Sequence, residues 1–164
     1  TTTNQVIDNL PSNATSVVYV ADSYGRSYEA VSLMANGDLL LHAERPVMSA
    51  DGRFVAFLTK SRFPADGSIA GAQNVYLRDR KLGTTRWVGL MRRTDTASSY
   101  PYALAISDDG RYVTYGTDAA SLFLSTTNNY GVVVYDTTLG RNRFYSDEGL
   151  SPSKTTAYYS ISLS

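Results

Sequence analysis

Only one histidine, His42, and no cysteine occur among the 164 residues, which narrows the available chemistry at once. A serine hydrolase needs a nucleophile beside a histidine that a carboxylate orients. His42 stands in the stretch LLLHAERP, and GSIAG at 67–71 is out of frame for a G-x-S-x-G elbow. His42 therefore reads as a loop residue. A tetrahedral zinc site wants three or four His, Cys or carboxylate ligands, which one imidazole without thiolates does not supply. No glycine-rich phosphate loop or dinucleotide fingerprint is present. Asp51, Asp108 and Asp109 are of a type that ligates calcium, but each stands at an Asp-Gly turn, where backbone geometry alone asks for it. The PADGS stretch at 64–68 is the better calcium candidate and still reads as a turn. Asp22, Asp79 and Asp136 recur at matched positions, as Asx-turn acceptors would. Arg53 and Arg111 recur likewise and read as hydrogen-bond donors to turns. The expectation is a protein with no catalytic residues, no metal and no cofactor.

Composition points the same way. Hydrophobic residues make up 43% of the chain and charged residues 18%, a globular balance. Fifteen basic residues match fifteen acidic ones, so no net field draws the chain to nucleic acid or to an anionic membrane. No apolar run approaches the roughly 18–20 residues that span a bilayer. The thirteen tyrosines suit half-buried strands.

The elements that would carry these residues repeat. SADGRFVAF (49–57) returns as SDDGRYVTY (107–115), 58 residues later. A second hairpin occurs three times, with Asp22, Asp79 and Asp136 spaced 57 and 57 residues apart. Its turn glycines Gly25, Gly83 and Gly140 each precede a serine by 24 residues: Ser49, Ser107 and Ser164. Alternating aromatic and β-branched residues mark strands, and no helical period is sustained. The Asp-Gly steps predict two-residue hairpin turns with positive φ at Gly52 and Gly110. Each unit therefore reads as four antiparallel strands, and such units at a fixed period form β-propellers. Strand alternation predicts burial of Val55, Phe57, Val75, Leu77, Val113, Tyr115, Val132 and Val134, with their alternate neighbours less covered. Trp87 is expected half-buried at an outer edge.

The pattern S-x-D-G-R-[FY]-V-x-[FY], then V-Y-x-x-D-x-x-x-G, resembles the TolB-like (WD-type) propeller repeat of bacterial proteins, over roughly residues 16–164. The resemblance implies an all-β fold, a partial β-propeller of four-stranded antiparallel blades, and a periplasmic or secreted bacterial setting. The expected layout is one propeller domain or fragment over 1–164. It comprises a partial blade at 1–45, blades at 46–90 and 103–146, and a lone inner strand at 158–164. Just under three blades is too few to close a ring. Either two chains form a six-bladed homodimer, or the chain is a piece of a longer propeller.

Within each unit one end carries short, repetitive turns. The other carries the variable connections 33–45, 59–73, 91–100, 117–130 and 147–157, and loops on a rigid scaffold are where binding resides. Arg62, Phe63, Arg92, Arg93, Tyr100, Tyr130 and Tyr158 lie there, of the types enriched at binding hot spots. The leading expectation is a non-enzymatic interaction or scaffold module with a protein partner on this rim. Alternatives are a carbohydrate-binding propeller and the accessory piece of a larger hydrolase.

Overall fold

The computed structural model describes residues 16–61, 73–89, 101–118 and 130–146. Among them every regular element is a strand and every pairing is antiparallel. Strands β1 (Tyr19–Ala21) and β2 (Tyr28–Ala30) form a two-stranded sheet I. Sheet II runs in chain order through β3 (Glu44–Met48), β4 (Phe54–Thr59), β5 (Asn74–Asp79) and β6 (Thr84–Trp87). Sheet III repeats that meander with β7 (Tyr102–Ile106), β8 (Tyr112–Asp118), β9 (Tyr130–Asp136) and β10 (Arg141–Ser146).

Both inner strands carry the same irregularity. Register shifts between Glu44 and Val47 in β3, and between Tyr102 and Ala105 in β7. Arg45 and Ala103 take positive φ at these bulges, 52° and 50°. Pro46 is tolerated because β3 is an edge strand, where its missing N–H breaks no ladder bond.

The first hairpin turn of each sheet is four residues long rather than two. Gly52 N–H donates to Ser49 O at 2.9 Å, and Ser49 N–H donates to Phe54 O at 3.0 Å, so residues 50–53 form the loop. Sheet III matches it, with Gly110 to Ser107 at 2.8 Å and Ser107 to Tyr112 at 2.9 Å. The expected shorter turn fails because the Ser side chain takes over a strand bond: Ser49 Oγ accepts from Phe54 N–H and Ser107 Oγ from Tyr112 N–H. Only the glycine turns left-handed, at φ 69° in both loops.

The two glycines nevertheless differ in surroundings. A Cβ on Gly110 would lie 2.3 Å from Phe54 Cδ2 of sheet II, whereas one on Gly52 would meet nothing nearer than Arg80 Nη1 at 3.4 Å. Gly110→Val should therefore cost more than Gly52→Val, which carries only backbone strain of about 1 kcal/mol. Urea melts of the two variants check this; a Gly110→Val midpoint equal to wild type contradicts the turn.

The sheets stack face to face. One core joins Ala56, Leu58, Val75, Leu77 and Val88 of sheet II to Val113, Tyr115, Val133 and Tyr135 of sheet III. The other joins Val55, Phe57 and Tyr76 of sheet II to Val18, Val31, Leu40 and Ala43. Sheet II is thus covered on both faces, and all six residues of β5 are buried. This corrects the expected alternation: Ala56, Leu58 and Tyr76 are as buried as Val55 and Phe57. In β9 the buried residues are Val133 and Tyr135, while Val132 and Val134 are only half-buried. The register explains it. Val133 pairs with Tyr115 and Tyr135 with Val113, so these four share the face toward sheet II. Trp87 is half-buried, as its edge position implies.

Sheets II and III lie closest along their first strands, where β7 packs on β3 and β4. There Ala50 N–H donates to Asp108 O at 2.9 Å. Toward the outer strands long side chains span the gap. Arg86 lies over the Tyr135 ring at 5.4 Å and reaches Thr137 O at 3.3 Å, and Asn142 donates to Gly89 O at 3.1 Å.

Candidate binding surface

At the short-turn end each full sheet builds the same clasp. Ser49 Oγ–H donates to Asp51 Oδ1 at 2.6 Å, and that oxygen also accepts Arg53 N–H at 3.0 Å. Arg53 then reaches across the sheet to Asp79 with two bonds, Nε to Oδ1 at 3.1 Å and Nη2 to Oδ2 at 2.7 Å. Asp79 Oδ1 in turn accepts the N–H groups of Lys81 and Leu82, the Asx turn that its position predicts. Ser107, Asp109, Arg111 and Asp136 repeat the set, with a looser Arg111–Asp136 contact of 3.4 Å. The recurrent Asp and Arg are therefore joints between neighbouring turns.

Their electrostatics follow from these bonds. The Ser49 hydroxyl, then the Arg53 N–H, hold the Asp51 carboxyl below its ordinary value, and Ser107 and Arg111 do the same for Asp109. The Arg53 side chain lowers Asp79 and is itself raised by it. Asp136 is lowered chiefly by the Leu139 N–H, and Asp22 by the Arg26 N–H. A depressed carboxyl stabilises the fold above its ordinary value of 3.8 and loses that contribution as pH falls through the lower folded value. The thermal midpoint should thus drop steeply below about pH 4. The pair Asp51→Asn and Asp109→Asn should flatten that drop. A midpoint independent of pH down to about pH 2 would contradict the clasps.

Between sheets I and II this end opens into a shallow depression of about 470 Å³, lined by Glu29, Asp51, Gly52, Arg53, Arg80 and Lys81. Arg80 is held there by Glu29, with Nε at 2.9 Å, and donates from Nη1 to Gly52 O at 2.6 Å. The outer turns add an exposed apolar tip each: Tyr24, Leu82 and Leu139. The sequence carries a signal for these tips, a large apolar residue just before each of Gly25, Gly83 and Gly140.

The opposite end carries the connections between strand pairs. The segment 33–45 is closed by a Leu33–Leu39 bridge and turns at Gly37 with φ 90°. Leu41 O accepts Thr59 Oγ1 at 2.6 Å and Ser61 Oγ at 3.0 Å, tying this segment to the end of β4. His42 is exposed there, with φ 56°. Of the seven expected binding residues, Tyr130 opens β9 at this end, its backbone paired with Asp118. Arg62, Phe63, Arg92, Arg93, Tyr100 and Tyr158 lie outside the described residues, as does the inner strand expected at 158–164. Among the described residues no group of three or more His, Cys, Asp and Glu could hold a metal ion.

No protein-family model matches the chain. No curated protein matches it either.

Proposed function

We propose that the sheets are successive blades of a β-propeller, and that the chain is a non-enzymatic interaction scaffold taking a protein partner on the end with the long connections. One observation carries the choice of end. At the short-turn end of sheets II and III the recurrent arginines and aspartates are bonded to each other, with Arg53 on Asp79 and Arg111 on Asp136. Groups so paired have little left to offer a ligand. Recognition then falls to Arg62, Phe63, Arg92, Arg93, Tyr100, Tyr130 and Tyr158. The propeller arrangement is supported by the cover on both faces of sheet II and by the close approach of β3 and β7. A ring closed by two chains is a proposal of the same kind. Sedimentation equilibrium supports it at twice 17.9 kDa and rejects it at 17.9 kDa.

Photo-crosslinking tests the choice of end. Benzoylphenylalanine in place of Phe63 or Tyr100 should capture a partner protein, and the same group at Leu82 or Leu139 should not. Capture from Leu82 and Leu139 alone overturns the assignment, and a positive glycan array in place of a protein adduct favours the carbohydrate alternative.

A further inference from the structure

Sheet I is half a repeat, and four observations describe the half that would complete it. The first is an open edge. Strands β5 and β9 each pair on both sides, whereas their counterpart β1 pairs, among the described residues, only with β2. The second is Asp22. Its counterparts Asp79 and Asp136 hold the arginine of an S-x-D-G-R turn, and their side chains are 10% and 13% exposed. Among the described residues the one cation on the Asp22 carboxylate is Arg26 of its own turn, at 3.5 Å, and the side chain remains 30% exposed. The third is Met48, 49% exposed in β3, whose counterpart Ile106 packs into the core between sheets II and III. The fourth is the depression above Gly52. At Gly110 the same place is filled by the ring of Phe54, the residue that follows S-x-D-G-R in the neighbouring sheet.

We propose that this notch is a docking site for a β-hairpin of the same class, S-x-D-G-R-[FY]-V. Its second strand would pair with β1, its arginine would bind Asp22, its aromatic residue would cover Gly52, and its first strand would cover Met48. Charge and shape both select this occupant. A guanidinium is what Asp79 and Asp136 bind, and an aromatic ring is what lies over Gly110. Strand addition to an open edge supplies main-chain bonds, and the side chains supply the specificity. The sequence has just two S-x-D-G-R motifs, at 49–53 and 107–111, and both are already built into sheets II and III. The hairpin is therefore one that neither sheet II nor sheet III supplies. The inference rests on reading sheet I as half a blade and does not depend on the loop-bearing rim.

A labelled peptide spanning residues 45–59 serves as the probe, added to the full chain and followed by fluorescence anisotropy. Saturable binding is expected. Replacing Arg53 of the peptide by alanine should weaken it at least about tenfold, and Asp22→Asn in the chain should do the same. The two changes together should weaken it little further, because they remove one contact. Met48→Glu, a change at an exposed position, should also abolish binding while leaving the circular dichroism spectrum intact. Absence of binding overturns the proposal, as does binding that ignores both Asp22→Asn and the loss of Arg53 from the peptide. Alanine at Arg62, Phe63, Arg92 and Arg93 should leave the peptide affinity unchanged, so failure of the rim reading and failure of this one are told apart.

Discussion

Val113→Asp should abolish cooperative folding near neutral pH. Val113 is fully buried in the middle of the core between sheets II and III. A carboxylate there has no partner, and an unpaired buried charge costs about 3–5 kcal/mol or more, a large share of a small domain's stability. The register makes a sharper comparison available in β9. Val133→Asp should be as damaging as Val113→Asp, while Val132→Asp, on the half-buried face, should cost distinctly less. Far-ultraviolet circular dichroism with urea titration reads all three. Equal losses at 132 and 133 would contradict the facing of β9.

Phe57→Ala should be the most costly truncation on the other side of sheet II. The ring is fully buried and stacks on Tyr76 at 6.2 Å between centroids, within the cluster that holds Val18, Val31 and Leu40. Deleting a buried Phe costs about 3–5 kcal/mol, through lost transfer energy and the cavity left behind. Sheet I has two short strands and depends on this cluster for its burial. Hydrogen exchange should therefore show Val20 and Val31 losing protection before the amides of β8 and β9. Uniform loss across all three sheets would mean that the hairpin is not a separate, weaker layer.

Much of this architecture was legible because its signals are local. The Asp-Gly steps, the D-x-x-x-G turns and the 57-residue spacing placed the hairpins, since turn chemistry is written within a few residues. The facing of the strands was harder. Alternation tells which residues share a side, but not whether one side or both will be covered. In β5 (NVYLRD) both sides are covered and the alternation loses its meaning. In β9 the run Val132-Val133-Val134 is apolar at every position, so nothing local says which valines face sheet II. The site shows the same division. Asp79 and Arg53 could be read as turn partners from their recurrence, but the bond between them joins residues 26 apart and emerges only from the folded register. Asp22 differs from Asp79 and Asp136 in having, among the described residues, no arginine from another turn, which no window of sequence around Asp22 displays.

In the proposed propeller the sheets fan out as successive blades, close along their first strands and wider at their last. Spin labels placed in two pairs of turns test this arrangement. One pair sits at Asp51 and Asp109, in the turns that follow the first strands. The other sits at Leu82 and Leu139, at the tips of the outer turns, where both residues are exposed. Electron paramagnetic resonance should give a clearly longer distance for the outer pair than for the inner pair. Equal distances would mean sheets stacked in parallel, and the propeller reading would be wrong.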